Sequence, residues 1–296
     1  MKLLTATASF AGRRPLALAD GKTAVRLGLV LSILMFFALF GPALAGLVRD
    51  WVRVEDYRHG FLLLPVAGYL GWQGWKGSDQ KPSPALGAVV IVAGVVLFWM
   101  SSIAAEFFTL RSSALLAACG LVIYFFGVPQ LRAWWLPVAL LAFTIPLPAV
   151  VLNSLTLPLQ LLASQVAVEL LQFRHVPATV AGNIIQLPGH DLFVAEACSG
   201  LRSLSALFGM TLLIGGTGLS QAWSRVALLL LAIPCALAAN ALRVFATGYL
   251  VYYLGPEAAE GMIHESAGII VFLVSLAAIA LVMLALRAAE RPRSAT

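Results

Sequence analysis

Apolar residues run in long blocks along the chain, separated by short polar stretches. Blocks near the ~20 residues that a bilayer core demands give eight predicted spans: 25–48, 60–75, 85–105, 111–128, 134–152, 199–219, 226–254 and 266–287. The second is short enough to tilt or to lie partly in the interface. Pro146, Pro148 and Pro158 blur the end of the fifth, because proline removes a donor and clashes with the preceding turn. One long connection, residues 153–198, separates the fifth span from the sixth. Its first part, NSLTLPLQLLASQVAVELLQF, has the apolar stripe of an amphipathic helix lying on the membrane. Its second part reads as a short β-hairpin, with ATVAGNIIQL and DLFVAEA flanking the turn PGH. The expected fold class is an all-α polytopic membrane protein of about eight transmembrane helices, with an amphipathic helix and a short β-hairpin before the sixth span. The expected organisation is a basic N-terminus over 1–24, one membrane-embedded domain over 25–287 and a tail over 288–296.

Composition agrees with that pattern. The chain is 61% hydrophobic and 11% charged, whereas a soluble domain carries about a quarter charged residues. The net charge of +6 does not signal nucleic acid. Lys and Arg sit in short loops and at the termini, where they set orientation. Placing the N-terminus inside puts Arg13, Arg14, Lys22, Arg26, Lys76, Lys81, Arg225 and Arg287 on the cytoplasmic side. Both termini are then cytoplasmic. His59, His175, His190, His264 and the long connection fall on the outer face. ALAG at 43–46 resembles a cleavage site, but the basic region before it is long for a signal peptide, so the first span is expected to be retained.

Three cysteines occur. Cys119 and Cys235 lie inside apolar runs and read as small buried hydrophobes. No Cys or His spacing suggests zinc, and no metal or other cofactor is expected. Cys198 differs. It sits in VAEACSGLRSL, at the boundary between the hairpin and the sixth span. A helix N-terminus favours thiolate, the nucleophilic form, and Arg202, four residues on, would favour it further. Glu196 would oppose this if it faced the sulfur. Read alone, Cys198 is equally a small residue at a helix start.

Arg243 lies well inside the seventh span, in CALAANALRVFATGYLVYYLG, with Asn240 three residues earlier on the same helical face. An ionisable group within a span marks a functional site unless it snorkels to headgroups. His264 lies in GMIHESAGII, at the entry to the eighth span, with Gly268 one turn later. HESAG lacks the second histidine of a zinc-protease helix. Together the three side chains supply the parts of acyl transfer at one membrane face: Cys198 as nucleophile, His264 as proton carrier, and Arg243 to stabilise an oxyanion or orient a peptide.

VAEACSGLRSL, PCALAANALRVFATGYL and GMIHESAGIIVF resemble, in order, the three blocks of the exosortase/archaeosortase family. DYRHGFLLLP and NIIQLPGHDLFV also resemble exosortase sequence. The resemblance covers nearly the whole chain from about residue 20. It implies a membrane-embedded cysteine transpeptidase of a bacterial inner membrane, with its site at the periplasmic face. The implied substrates are exported proteins with a C-terminal sorting tail of the PEP-CTERM type, cleaved through a Cys acyl-enzyme and passed to an unknown acceptor. The family's proposed Cys, Arg and His correspond to Cys198, Arg243 and His264. Supporting candidates are Glu196, Ser199, Arg202, Asn240 and His59. Arg202, Arg174 or Arg58 could read an acidic residue of the tail. His190 reads as a turn residue. The expected partners are such tails, membrane lipid and the acceptor, with no nucleic acid.

Two other classes compete. A non-enzymatic transporter or assembly factor for exopolysaccharide export would explain the spans, but predicts polar groups scattered at mid-depth. The first five spans carry almost none. An intramembrane hydrolase of another type would need a serine or aspartate motif, and the chain has no GxSG or GxGD.

Overall fold

The computed structural model of the chain describes residues 21–77, 80–194, 201–259 and 261–290. Helix α1 (Gly21–Arg53) contains Pro42, and the chain divides there into two compact units, 1–41 and 42–296. In the first unit Ser32 Oγ donates to the Gly28 carbonyl at 2.8 Å, and the Phe36 and Phe40 rings lie 5.0 Å apart.

In the second unit a 3-10 turn, Glu55–Tyr57, leads from α1 into α2 (His59–Gln73). Helices α3 (Pro84–Ala104) and α4 (Phe107–Phe126) then form a close antiparallel pair. Glycine sets their approach. A Cβ on Gly87 would fall 2.5 Å from the Tyr124 backbone, and one on Gly120 would fall 2.7 Å from the Ile91 nitrogen. Small residues let apolar helices pack backbone to backbone where water supplies no drive. Gly127 ends α4 at φ +88, with the Lys81 carbonyl in the space a side chain would need. Both facts demand glycine.

The fifth predicted span is not one helix. Helix α5 (Val128–Ala133) precedes it, α6 (Trp135–Phe143) forms its first part, and the segment from Thr144 to Pro148 interrupts it. Pro146 and Pro148 have no N–H to extend α6. The chain resumes as α7 (Ala149–Phe173). The hairpin expectation also needs correction. The sheet has three strands: β1 (Thr179–Ala181), β2 (Ile184–Leu187) and β3 (His190–Phe193), antiparallel in the order β1-β2-β3. Gly182, at φ +65, splits the predicted first strand. His190 is not in the turn but opens β3, paired with Leu187.

Among the described residues three more helices follow: α8 (Leu201–Gly218), α9 (Ala222–Leu254) and α10 (Gly261–Glu290). Each packs on the other two. One core joins α7, the sheet and the second half of α9 through Leu171, Ile185, Leu192 and Val244. A second joins α8, α9 and α10 through Leu207, Leu228 and Ile279.

Among the described residues six helical segments are long and apolar enough to cross a bilayer: Thr23–Arg53, Pro84–Ala104, Phe107–Phe126, Ala149–Phe173, Ala222–Leu254 and Gly268–Glu290. The molecule is therefore an all-α polytopic membrane protein with a small sheet. The second, fifth and sixth predicted spans correspond to helices of 15, 9 and 18 residues, so eight full spans do not appear among the described residues.

Hydrogen bonds fix which helix ends meet. Ser205 Oγ donates to the Asp56 carbonyl at 3.4 Å, which sets the beginning of α8 beside the turn after α1. Arg225 donates to the Leu219 carbonyl at 2.7 Å, which ties the end of α8 to the beginning of α9. The end of α1 and the beginnings of α2, α8 and α10 therefore share one end of the unit with the end of α9. Helix α7 starts beside Asp50 and Arg53, and its Leu171 packs on Gly248, six residues before α9 ends. Both of its ends thus lie toward that same side.

Candidate active site

Arg243 lies on α9, half-buried, two turns before Val251. Its guanidinium rests against Gly268 of α10. A Cβ built there would sit 3.2 Å from both Cζ and Nη2. The sequence suggested that Gly268 admits another backbone; what it admits is the Arg243 side chain. His264 precedes Gly268 by four residues within α10. Positions i and i+4 share a helix face, so His264 stands one turn above the point where Arg243 meets α10. Asn240, one turn below Arg243 on α9, is also half-buried.

Cys198, Glu196 and Ser199 lie outside the described residues. The chain resumes at Leu201, already helical, and Arg202 is the second described residue of α8. Helix α8 contacts both α9 and α10. The elements that carry Arg243 and His264, and the one that Cys198 leads into, therefore form a single three-helix group.

His59 opens α2 at the same end. Its Nδ1 lies 3.0 Å from the Asp56 carbonyl, the oxygen that also receives Ser205 Oγ of α8. Its ring sits 5.6 Å from Phe143. Burial pushes the imidazole pKa down, because a low-dielectric site disfavours the charged form. The neighbourhood is held by Trp51. This side chain is 3% exposed, covers Gly60 and donates Nε1 to the Thr144 carbonyl at 3.1 Å. His59 is thus joined to α8 through one shared carbonyl, and to the α6 break through Phe143 and Trp51.

The other basic candidates are more dispersed. Arg58 is exposed and pairs with Glu55 at 3.4 Å. Arg174 caps the end of α7. Sequence reading missed a further ionic contact. Arg111 opens the fourth predicted span, and in the structure it lies on α4 with 8% exposure and binds Asp50 of α1 at 2.6 Å. Nothing in the local sequence pairs two residues that far apart in the chain.

Cys119 and Cys235 are reduced and half-buried. The Cys235 thiol lies 3.8 Å from the Ser275 carbonyl within the α8–α10 core. Among the described residues no group of three or more His, Cys, Asp or Glu side chains is arranged to hold a metal.

These features define a class: an integral membrane protein in which Arg243 and His264 lie on neighbouring helices of one three-helix group. A family model of the transmembrane exosortases matches residues 51–281, and the chain belongs to that family. Neither curated proteins nor solved structures give a match.

Proposed function

We propose that the protein is a cysteine transpeptidase that cleaves the C-terminal sorting tail of exported proteins at the periplasmic face of the inner membrane. One observation carries the reading. The Arg243 guanidinium abuts α10 one turn from His264, within the helix group that Cys198 enters. Family membership over most of the chain points the same way.

The chemistry follows from the residue types. The Cys198 thiolate attacks the scissile carbonyl of the tail, and the carbonyl oxygen takes up the negative charge. Arg243 donates to that oxyanion or to the peptide beside it. The tetrahedral intermediate collapses to a thioester as His264 gives a proton to the leaving amine. An acceptor nucleophile then attacks the thioester, loses its proton to His264, and releases the thiolate. Glu196, Ser199, Arg202, Asn240 and His59 are assigned to positioning and substrate contact. The substrate's own apolar span would lie beside the enzyme in the bilayer, which brings a PEP-CTERM-type motif to the depth of the site. Both termini are assigned to the cytoplasm.

The test is processing of a tagged tail-bearing protein, followed as a mobility shift. Cys198→Ala should abolish the shift, while Cys119→Ala and Cys235→Ala leave it intact. A thiol probe added from outside should label Cys198 alone. Full processing by Cys198→Ala would overturn the proposal.

A further inference from the structure

A second polar site lies at the same end of the molecule but on other helices. A cavity of about 730 Å³ opens between the last turns of α1, the α3–α4 turn and the start of α7. Phe98, Phe107, Leu147 and Leu152 supply apolar walls, and Arg49, Arg53 and Arg111 supply positive charge.

The charges do not cancel. Arg111 is answered by Asp50 at 2.6 Å. Glu106 spends its carboxylate oxygens on the Phe108 and Thr109 amides, at 3.1 and 2.6 Å. Arg49 and Arg53 remain. Both are exposed, and among the described residues neither pairs with a carboxylate. They stand at i and i+4 of α1, on one face. Like charges so placed repel by roughly 0.2–0.5 kcal/mol, and the two carboxylates of the lining, Asp50 and Glu106, leave one of its three guanidinium charges uncancelled. An anion between Arg49 and Arg53 relieves that repulsion. Guanidinium forks match the oxygens of phosphate in paired hydrogen bonds.

The level of the cavity identifies the carrier of the anion. α1 ends at Arg53, α3 ends at Ala104 and α4 begins at Phe107, all three being helices long enough to cross a bilayer. The cavity therefore sits where such helices leave the hydrocarbon, which is headgroup depth. A cationic rim over aromatic and aliphatic walls suits a charged head on an apolar chain. An acidic peptide joined to an apolar span is the competing occupant, and it offers a carboxylate where a lipid offers the three-oxygen face of a phosphate that the guanidinium forks match.

We propose that this cavity binds a phosphate group carried on a lipid, with Arg49 and Arg53 holding the phosphate and the apolar wall holding the first part of the chain. The inference does not rest on the transpeptidase reading, because its readout is binding. Delipidated full-length protein in neutral detergent is titrated with fluorescent short-chain phosphatidic acid, and with diacylglycerol of the same chains as the control without phosphate. Phosphatidic acid should bind and diacylglycerol should not. Arg49→Gln with Arg53→Gln should weaken binding at least ~10-fold, the scale expected for one or two lost charged hydrogen bonds. Arg49→Lys with Arg53→Lys should weaken it less, since charge survives without the fork. Leu152→Trp fills the cavity without touching charge and should also weaken binding. Each variant's thermal midpoint without lipid reports whether the fold persists. Inorganic phosphate separates the sources: displacement of the probe by phosphate alone shows that the headgroup suffices, and failure to displace shows that the chain is required. Equal binding of diacylglycerol, an unchanged affinity in the well-folded Arg→Gln pair, or displacement only by an acidic peptide would overturn the proposal.

Discussion

Gly268 matters for what it lacks. A methyl at that position would meet the Arg243 guanidinium at 3.2 Å, so the guanidinium would have to move by a few tenths of an ångström. Two effects of Gly268→Ala oppose each other. Alanine in a helix interior is worth ~1 kcal/mol over glycine, which favours the fold. Displacing a group that must meet a reacting oxygen costs rate, up to ~100-fold for a shift of about 1 Å. The expected outcome is therefore a thermal midpoint that holds or rises and a processing rate that falls by roughly tenfold. A stable variant with an unaltered rate would separate Gly268 from the site. The sequence could single out Arg243 as costly and Gly268 as permissive. It could not show that one fits the other, because their contact joins two helices. His59 was visible as a histidine at a span entry, but its link to α8 through the Asp56 carbonyl arises only from tertiary packing.

Among the elements, the α3–α4 pair gives the sharpest stability prediction. Gly120→Val would press a branched side chain into the Ile91 backbone, from which even a Cβ would lie only 2.7 Å. Overpacking of this kind costs about 1–3 kcal/mol, and a fall in the thermal midpoint in detergent measures it. Gly71, on α2, has nothing within 4 Å of its Cβ position, so Gly71→Ala should leave the midpoint unchanged or raise it. The start of α4 adds a pH dependence. The Thr109 hydroxyl, then the Thr109 and Phe108 amides, hold the Glu106 carboxyl below the usual range. A carboxyl lowered in the folded state stabilises at pH above its unfolded value of ~4.3, and that contribution is lost as pH falls through the folded value. Glu106→Gln should therefore cost stability at pH 7, at the low end of cap effects (about 0.5 kcal/mol) because the group is only partly buried and water screens it. Its deficit should shrink as pH falls below 4. A deficit that stayed constant with pH would assign the effect to shape rather than charge. Helix α4 itself was legible as an apolar run, yet this cap was not read, because the third and fourth predicted spans were divided by hydropathy alone. The break after α6 was signalled by Pro146 and Pro148. Its consequence, a separate helix α7 that turns back to the same end, depends on packing against α9 that hydropathy does not encode.

For the whole molecule the open quantity is orientation, and the charge pattern makes a definite claim about it. Lys81 lies just before α3, at the end opposite the cavity, where α4 finishes at Gly127. Thr179 lies on the exposed face of β1, beside the end of α7. If Lys and Arg select the cytoplasmic side, Lys81 faces the cytoplasm, while the sheet and both polar sites face outward. Single cysteines at these two positions, in a chain with Cys119, Cys198 and Cys235 replaced by alanine, make the claim measurable. A maleimide that cannot cross membranes, applied to cells with a permeable outer membrane, should modify Thr179→Cys and spare Lys81→Cys. Disrupting the inner membrane should expose Lys81→Cys as well. The reverse pattern would invert the molecule, placing Arg243, His264 and the cationic cavity in the cytoplasm. A sorting tail on an exported protein would then be out of reach, and the transpeptidase reading would fail with the orientation. The phosphate site would survive such an inversion, since both leaflets carry phosphate at headgroup depth, so the two proposals stand or fall on different measurements.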